Sequence, residues 1–421
     1  MRGNPSRSRP IRPTAASAGL CAALALAGLA QPTQAGTAAA RLRAAPLAAE
    51  AEFGYATALA GGRAAIGAPG ERGTAGAAYV YECAPAGCGA PLRLAPADTL
   101  PGDRFGAAIA LSGDTVAVGT PGHSAGVVHV YTVTGGVPLL QARIDSPVAF
   151  ADGRFGSAVA LEGNRLAVGA EVAGSAWVYT RTGGVWGPPQ QAMRLGGGPR
   201  DRYGAALALS GDTLAVGAPL EAAIGIASSY ARGAAYVFTL SGGSWQQQAR
   251  IGAVAAANGD LFGLSLSLLG ERLAIAAPAA QVLRGKVALY ERNGALWQAV
   301  AELGAAGGLA GDRFGWSLSL APDRLVVGQP LAAETCGGAV QFEHVGGIWT
   351  ESPQAFRAPS QRGALQGWSV ATSGTTSLVA LPDLDTGGAA ISGQAAWYDP
   401  AAGAYGDGFE AGVEACLLDL P

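Results

Sequence analysis

Histidine is the side chain that most often moves protons in enzymes near neutral pH, and this chain contains three of them. His123 and His129 lie close together in the sequence, whereas His344 is far from both. His129 falls within an apolar run, where a buried structural role is usual. There is no nucleophile elbow and no metal-ligand spacing, and the glycine-rich stretch 195–198 lacks the following helix that phosphate binding requires. The sequence therefore predicts a protein that is not an enzyme and uses no cofactor.

Four arginines share one position, directly before an aromatic residue (Phe or Tyr) that is followed by glycine; they are Arg104, Arg154, Arg202 and Arg313. A guanidinium group binds carboxylates and other oxygen-rich ligands through paired hydrogen bonds. The longest segment between the apolar runs, 220–233, adds Tyr230 and Arg232. We expect these six residues to form a ligand-binding face that prefers an anionic or glycan ligand.

The same arginines allow a second interpretation, because three of them follow an aspartate: Asp103, Asp201 and Asp312. In that interpretation each Asp–Arg pair caps its own turn and links neighbouring repeats, and no ligand is involved.

Carboxylates that could hold a metal ion are sparse. Asp114, Asp212 and Asp323 each stand alone in a short turn, and Asp383 with Asp385 is the closest pair in the loops. Calcium takes six to eight oxygen ligands, which these turns cannot supply. The sequence therefore predicts no metal site, with the Asp383–Asp385 pair as the alternative candidate.

These residues belong to a repeat that occurs seven times. Most copies open with an aromatic residue and glycine, and a Gly-x-Pro landmark follows fourteen residues later, as in Phe105-Gly106 and Gly119-Thr120-Pro121. The pattern drifts in some copies, since the seventh opener is Gln366-Gly367 and the third landmark is Gly169-Ala170-Glu171. The openers lie near residues 53, 105, 155, 203, 262, 314 and 366. A repeat of about fifty residues indicates units that share one continuous structure.

Each repeat contains four short apolar runs separated by turn residues. Ala107 to Leu111 and Val116 to Gly119 flank a Gly-Asp pair, which is typical of a tight β-hairpin. A third run follows the proline, and a fourth begins at a Gly-Gly turn. Four antiparallel strands in seven copies predict an all-β fold, a seven-bladed β-propeller over residues 36–400.

The two ends of the repeat region are complementary. Residues 41–44 (Arg-Leu-Arg-Ala) are similar to 92–95, the fourth strand of the first repeat, although no repeat precedes them. The seventh repeat reaches its third strand at 396–398 and shows no convincing fourth strand. We therefore expect residues 41–44 to supply the outer strand of the last blade and so close the ring without an open edge.

The order Phe-Gly, strand, Gly-Asp turn, strand, Gly-Ala-Pro, strand resembles the FG-GAP repeat of the integrin α-subunit propeller, most closely in bacterial secreted proteins. The resemblance covers residues 41 to about 400. It implies a seven-bladed propeller used outside the cell for adhesion or protein contact. Members that bind calcium carry an Asp-x-Asp-x-Asp-Gly loop between the first two strands, and this chain lacks it.

Residues 1–35 have the pattern of a secretory signal peptide: basic residues, a short apolar run, and small residues before a cleavage site near Ala35. Export places the cysteines in an oxidising compartment. Cys83 and Cys88 flank a short loop and are expected to form a disulfide, and Cys336 and Cys416 remain as a second pair. Residues 401–421 form a C-terminal tail with an Asp-Gly-Phe-Glu element of unknown role.

The net charge of −3 and the single lysine give no electrostatic footprint for nucleic acid. No segment beyond the signal is apolar enough for membrane insertion. We expect a secreted or cell-surface interaction module that binds an extracellular protein or glycan through the face carrying the strand 4–1 and 2–3 loops. The alternatives are a propeller hydrolase or lyase with its site at the channel mouth, and a purely structural surface component.

Overall fold

The computed structural model describes residues 40–43, 50–85, 87–196, 200–222, 232–252, 257–332, 336–356, 365–382 and 393–399. The predicted signal peptide, the C-terminal tail, Tyr230, the Asp383–Asp385 pair and Cys416 lie outside these residues.

The described residues form seven antiparallel sheets, which we call blades. Blade one holds β2 (Thr57–Ala60), β3 (Arg63–Ala68), β4 (Ala77–Ala84), β5 (Gly87–Cys88) and β6 (Leu92–Leu94). Blade two holds β7 (Ala108–Ser112), β8 (Thr115–Thr120), β9 (Val127–Thr134) and β10 (Val137–Asp145). Blade three holds β11 (Phe155–Glu162), β12 (Arg165–Ala170), β13 (Ser175–Thr182), β14 (Val185–Trp186) and β15 (Gln190–Gln191).

Blade four holds β16 (Ala206–Ser210), β17 (Thr213–Ala218), β18 (Ala234–Ser241) and β19 (Ser244–Gly252). Blade five holds β20 (Leu266–Leu269), β21 (Arg272–Ala277), β22 (Lys286–Asn293) and β23 (Leu296–Leu303). Blade six holds β24 (Ser317–Ala321), β25 (Arg324–Gly328), β26 (Ala339–Val345) and β27 (Ile348–Phe356). Blade seven holds β28 (Ser369–Ser373), β29 (Thr376–Leu381), β30 (Gln394–Tyr398) and β1 (Ala40–Leu42).

The predicted seven-bladed propeller is confirmed. Each first strand contacts the first strands of both neighbouring blades, so the first strands form the inner ring and the fourth strands lie outside. Two four-residue segments, α1 (Glu71–Thr74) and α2 (Ala280–Leu283), are short helical turns with left-handed residues inside them. In blades one and three the fourth strand is split into two pieces, both of which pair with the third strand.

The ring is closed by the N-terminal strand. β1 pairs antiparallel with β30, and Ala40 lies opposite Trp397 while Leu42 lies opposite Ala395. The sequence places this strand at residues 41–44, and in the structure it is Ala40–Leu42. Leu42 is buried with Trp397 in the cluster that joins blades seven and one. Pairing the two ends of the chain leaves no unpaired strand beside β30.

The fixed spacing between opener and landmark has a structural cause. In blade two the backbone N–H of Gly106 donates to the carbonyl of Gly119 at 3.0 Å, which closes the wide end of the hairpin formed by β7 and β8. Gly119 in turn faces the next opener, since a Cβ at this position would lie 2.0 Å from the carbonyl oxygen of Gly156. The landmark glycine therefore closes the hairpin of its own blade and also packs against the opener of the next blade.

The aromatic residue of each opener lies in the core. Phe105 has no exposed surface and meets the ring of Tyr131 edge-on, with 6.4 Å between the ring centroids. The same cluster contains Ala65 and Val80 of blade one and Val116 of blade two, so the apolar core lies between blades. Alanine on the facing strands allows this close approach.

Candidate functional site

The two ends of the ring differ in their loops. We call the end that carries the segments between fourth and first strands, and between second and third strands, the upper face. The opposite end, the lower face, carries mostly two-residue turns, such as Gly113-Asp114 between β7 and β8. The upper face is the one on which the sequence places a ligand.

A left-handed turn presents the residue before each opener on the upper face. Arg104, Arg154, Arg202 and Arg313 have φ angles of 56°, 57°, 54° and 61°. Glu52, Leu261 and Leu365 occupy the same position in the other blades, at 53°, 60° and 53°. The carbonyl of Arg104 accepts the N–H of Ala107 at 3.1 Å, and this hydrogen bond recurs in all seven blades. Left-handed backbone in a residue other than glycine costs about 1–2 kcal/mol, so the surrounding hydrogen bonds must hold the turn.

Three of the predicted arginines form ion pairs with glutamates. The Nη2 of Arg104 lies 2.8 Å from Glu52 Oε2, and its guanidinium lies 5.2 Å from the ring centre of Tyr55. Arg154 and Arg202 share Glu171, with N–O distances of 3.1 and 3.7 Å. The Arg104–Glu52 and Arg202–Glu171 pairs connect neighbouring blades, whereas the Arg154–Glu171 pair lies within blade three.

Arg313 and Arg232 have different surroundings. The Nε of Arg313 is buried and has no hydrogen-bond partner in the described part of the chain. The Nε of Arg232 donates to Asn258 Oδ1 at 3.4 Å, and its carbonyl accepts the N–H of Phe262 at 3.1 Å. The structure thus distributes five of the predicted ligand residues over several blades, and the sixth, Tyr230, lies outside the described residues.

Three aspartates that precede the left-handed residues cap turns: Asp103 and Asp312 stand before arginines, and Asp260 stands before Leu261. Asp103, Asp260 and Asp312 are buried, and each accepts the backbone N–H of the residue three positions earlier at 2.7–2.8 Å. Asp103 also lies 2.7 Å from Nδ1 of His123. This geometry is the one expected if the Asp–Arg pairs cap turns and link blades. A ligand role for the arginines stays a prediction.

Three aromatic side chains at the start of the inner strands were not singled out by the sequence analysis. Trp316, Trp368 and Tyr55 occupy the second position after the openers of blades six, seven and one. The ring centroids of Trp316 and Trp368 are 5.0 Å apart, and those of Trp368 and Tyr55 are 5.7 Å apart. We call these three residues the aromatic arc. The equivalent residues of the other blades are Ala107, Ser157, Ala205 and Leu264.

The arc ends at Arg104, whose guanidinium lies over Tyr55. Three of the seven equivalent positions at the channel mouth are therefore aromatic, and three of the other four carry small side chains. Arg154 and Arg202 lie beside these small residues. Alignment of the seven repeats could have revealed this asymmetry, because one position changes from small to aromatic in three consecutive blades.

Buried carboxylates fix two of the upper loops. Glu221 is 3% exposed, and its carboxylate accepts hydrogen bonds from Arg250 at 2.7 Å, from Tyr236 at 2.6 Å and from Arg194 at 3.3 Å. Burial and the neighbouring Glu221 raise the pKa of the Tyr236 hydroxyl. The arrangement pins the segment after β17 to the third and fourth strands of its blade.

Blade one repeats this arrangement with Glu71. The carboxylate accepts hydrogen bonds from the Tyr79 hydroxyl at 2.5 Å and from Arg93 at 2.6 Å. Burial and the Glu71 carboxylate raise the pKa of Tyr79 to about 12. Because these charges already satisfy one another, we assign them a structural role.

Blade two has histidines at both positions, with His123 in place of the carboxylate. His129 takes the position of Tyr79 and Tyr236, is 2% exposed, and its Nδ1 lies 3.2 Å from Thr120 Oγ1. Burial lowers the pKa of His129 to about 4, with a smaller opposing effect from Asp98. The ring is therefore neutral near pH 7, as expected for a core residue, and it contacts Phe105 with 5.5 Å between centroids.

Comparison with known proteins agrees with these repeats. Residues 37–81, 92–131, 195–238 and 297–341 match the FG-GAP repeat family. The chain is a seven-bladed β-propeller that contains FG-GAP repeats. Its seven blades are consistent with the propeller of integrin α subunits. No curated protein matches the chain.

Solved structures share the architecture of this FG-GAP propeller. The β-propeller domain of Myceliophteria thermophila Cps50 (Swd1) superposes with a TM-score of 0.54 over 86% of this chain and 99% of that domain. The sequences are 11% identical, so the likeness concerns the fold alone.

Two carboxylates in the lower-face turns of the FG-GAP propeller form ion pairs with arginines of the preceding blade. Asp114 lies 2.9 Å from Arg63 of the preceding blade, and Asp212 lies 2.7 Å from Arg165. Among the described residues no group of three or more His, Cys, Asp or Glu side chains could hold a metal ion. The described part also contains no helix long and apolar enough to cross a membrane.

The predicted disulfide between Cys83 and Cys88 is present and closes the hairpin that joins β4 to β5. Cys336 is buried and disulfide-bonded. Its expected partner, Cys416, lies outside the described residues.

Proposed function

We propose that this FG-GAP propeller is a secreted, non-enzymatic interaction module that binds an extracellular protein or glycan through its upper face, in an adhesive role. FG-GAP propellers are in general protein-interaction modules and are commonly extracellular. The observation that carries the proposal is the convergence of side chains at the channel mouth. Blades six, seven, one, two, three and four contribute Trp316, Trp368, Tyr55, Arg104, Arg154 and Arg202.

Aromatic residues and arginine are the side chains most enriched at energetically important positions of interfaces. They meet here on a rigid ring, which limits the conformational entropy lost on binding. The upper face also exposes apolar side chains in its longer loops, among them Leu100 at 62% and Phe150 at 51%. These features support a contact surface for a macromolecule.

Two further observations support export and a non-catalytic role. The signal-like segment 1–35 and the Cys83–Cys88 disulfide fit an oxidising compartment. Glu52 and Glu171, the carboxylates near the mouth, are both paired with arginine. Both carboxylates are therefore engaged in ion pairs and are not free to react with a substrate.

The test is a binding array of glycans and purified surface proteins, probed with residues 36–421 with and without calcium. The double variant Arg154→Ala/Arg202→Ala removes two upper-face charges. The control Arg165→Ala/Arg272→Ala removes the same charge from the lower face, where both arginines pair with carboxylates.

We expect a binding partner whose signal does not depend on calcium, falls in the upper-face variant and persists in the control. Equal loss in both variants would contradict the assignment of the face. A silent array together with turnover in a broad hydrolase screen would replace the proposal with the enzymatic alternative.

A further inference from the structure

We propose that the aromatic arc binds a neutral saccharide chain, whose sugar rings lie against Trp316, Trp368 and Tyr55 and whose hydroxyls bond to Arg104 and Glu52. This inference rests on the proposed function, because it names the ligand class of the upper face.

The arc offers flat apolar surface in a row. Its three rings are half-buried and follow one another around the mouth at 5.0 and 5.7 Å, tilted by 50° and 46°. An aromatic face is electron-rich and attracts the weakly positive C–H groups of a partner. One face of a sugar ring presents such C–H groups, whereas its rim carries hydroxyls. Consecutive rings suit an extended chain better than a single small molecule.

Polar atoms of the arc are available to a ligand. The indole N–H groups of Trp316 and Trp368 and the hydroxyl of Tyr55 have no hydrogen-bond partner among the described residues, and none of these atoms is buried. In two other tryptophans this group is already engaged, since Trp186 donates to Gln141 and Trp297 donates to Gln248. The mouth thus combines apolar ring faces with three unused donors.

The Arg104–Glu52 pair completes the site. Their side chains are 32% and 18% exposed, so both remain accessible at the end of the arc. A guanidinium fork donates to two neighbouring oxygens, and a carboxylate accepts from hydroxyls. Two adjacent sugar hydroxyls can bond to the guanidinium and to the carboxylate while the Arg104–Glu52 ion pair stays intact.

Charge balance favours a neutral ligand. A cationic ligand on the arc would face the guanidinium of Arg104, which already occupies the ring of Tyr55. An anionic ligand would compete with Glu52 for the same guanidinium. A neutral polyhydroxylated chain is not repelled by Arg104 and does not compete with Glu52. The small side chains of Ala107, Ser157 and Ala205 leave room across the mouth.

The experiment titrates residues 36–421 with cellohexaose, mannohexaose and chitohexaose, and follows tryptophan fluorescence and heat. Oligogalacturonate tests an anionic ligand and hexa-arginine a cationic one. The variant Trp316→Ala/Trp368→Ala removes the centre of the arc. Trp349→Ala is the control, because Trp349 is half-buried against His344 beside a lower-face turn.

We expect at least one neutral hexasaccharide to bind, with affinity reduced about tenfold in the arc variant and unchanged in the control, because the arc variant removes two of the three aromatic contacts. Trp316→Phe/Trp368→Phe, which preserves ring contacts, should lose less affinity. Circular dichroism shows whether the double alanine variant folds. If it does not fold, the double phenylalanine variant is used to test the site instead.

Binding of hexa-arginine or oligogalacturonate in place of the neutral sugars would overturn the inference. A protein partner found on the array, with no saccharide bound, would also overturn it but leave the proposed function intact. Loss of binding in the Trp349 variant alone would place the site on the lower face and overturn both.

Discussion

Replacing Glu221 with alanine tests whether the buried ion pairs hold the upper loops in place. Glu221 is 3% exposed and accepts hydrogen bonds from Arg194, Arg250 and the Tyr236 hydroxyl. Removing one partner of a buried ion pair costs about 3–5 kcal/mol, because the remaining charge stays buried. Arg194 keeps its contact with Asp201, and the side chain of Arg250 is 24% exposed. We therefore expect the low end of that range, about 3 kcal/mol.

The assay is urea unfolding followed by tryptophan fluorescence, from which the free energy of unfolding is obtained. Glu271→Ala is the matched control: Glu271 also pairs with an arginine, Arg292, but its side chain is 58% exposed. Exposed pairs contribute about 0–1 kcal/mol, so the control should remain within 1 kcal/mol of the wild type. Equal losses in the two variants would refute the argument from burial.

Three further predictions concern the fold. Gly119→Ala should lower the free energy of unfolding by at least about 2 kcal/mol, because its Cβ would lie 2.0 Å from the Gly156 carbonyl; Gly304→Ala, with open space around it, should change stability by less than about 0.5 kcal/mol in the same urea titration. Leu42→Ala should cost about 2–3 kcal/mol in thermal unfolding, since Leu42 is 3% exposed where the ring closes; an unchanged Tm would mean that β1 contributes little. Burial lowers the pKa of His129 from 6.5 to about 4, so the unfolded chain binds the proton more tightly, and stability present above pH 6.5 is lost as the pH falls. Between pH 7.5 and 5 this loss should be about 2 kcal/mol, and His129→Gln should remove that part of the pH dependence.

The propeller could be predicted because its determinants repeat locally. The hydrogen bond between Gly106 and Gly119 and the close approach of Gly119 to Gly156 restrict residue type at fixed positions in successive blades. The closing strand could be predicted for the same reason, since residues 41–44 copy a fourth strand. The error in its bounds, Ala40–Leu42 in the structure, reflects the absence of any sequence signal for where a short edge pairing begins.

The site was less accessible to sequence reasoning. The arginines were found because they recur before four of the openers, but their partners follow no common pattern: Glu52 stands before the opener of blade one, and Glu171 follows β12. The aromatic arc breaks the repeat pattern, and residues that differ between blades are hidden when repeats are compared for what they share. The contact of Trp368 with Tyr55 joins opposite ends of the chain, so it depends on ring closure.

The most direct test of the upper face is to block each face in turn. Ala205→Cys places a thiol at the mouth, and Ser241→Cys places one at a lower-face turn; each is coupled to a maleimide-polyethylene glycol, with the labelled wild type as control. Cys83, Cys88 and Cys336 are already in disulfides. We expect binding to the partner found on the array to be lost when residue 205 carries the polymer and to be retained when residue 241 carries it. Retention with the mouth blocked, or loss with the lower face blocked, would contradict this expectation.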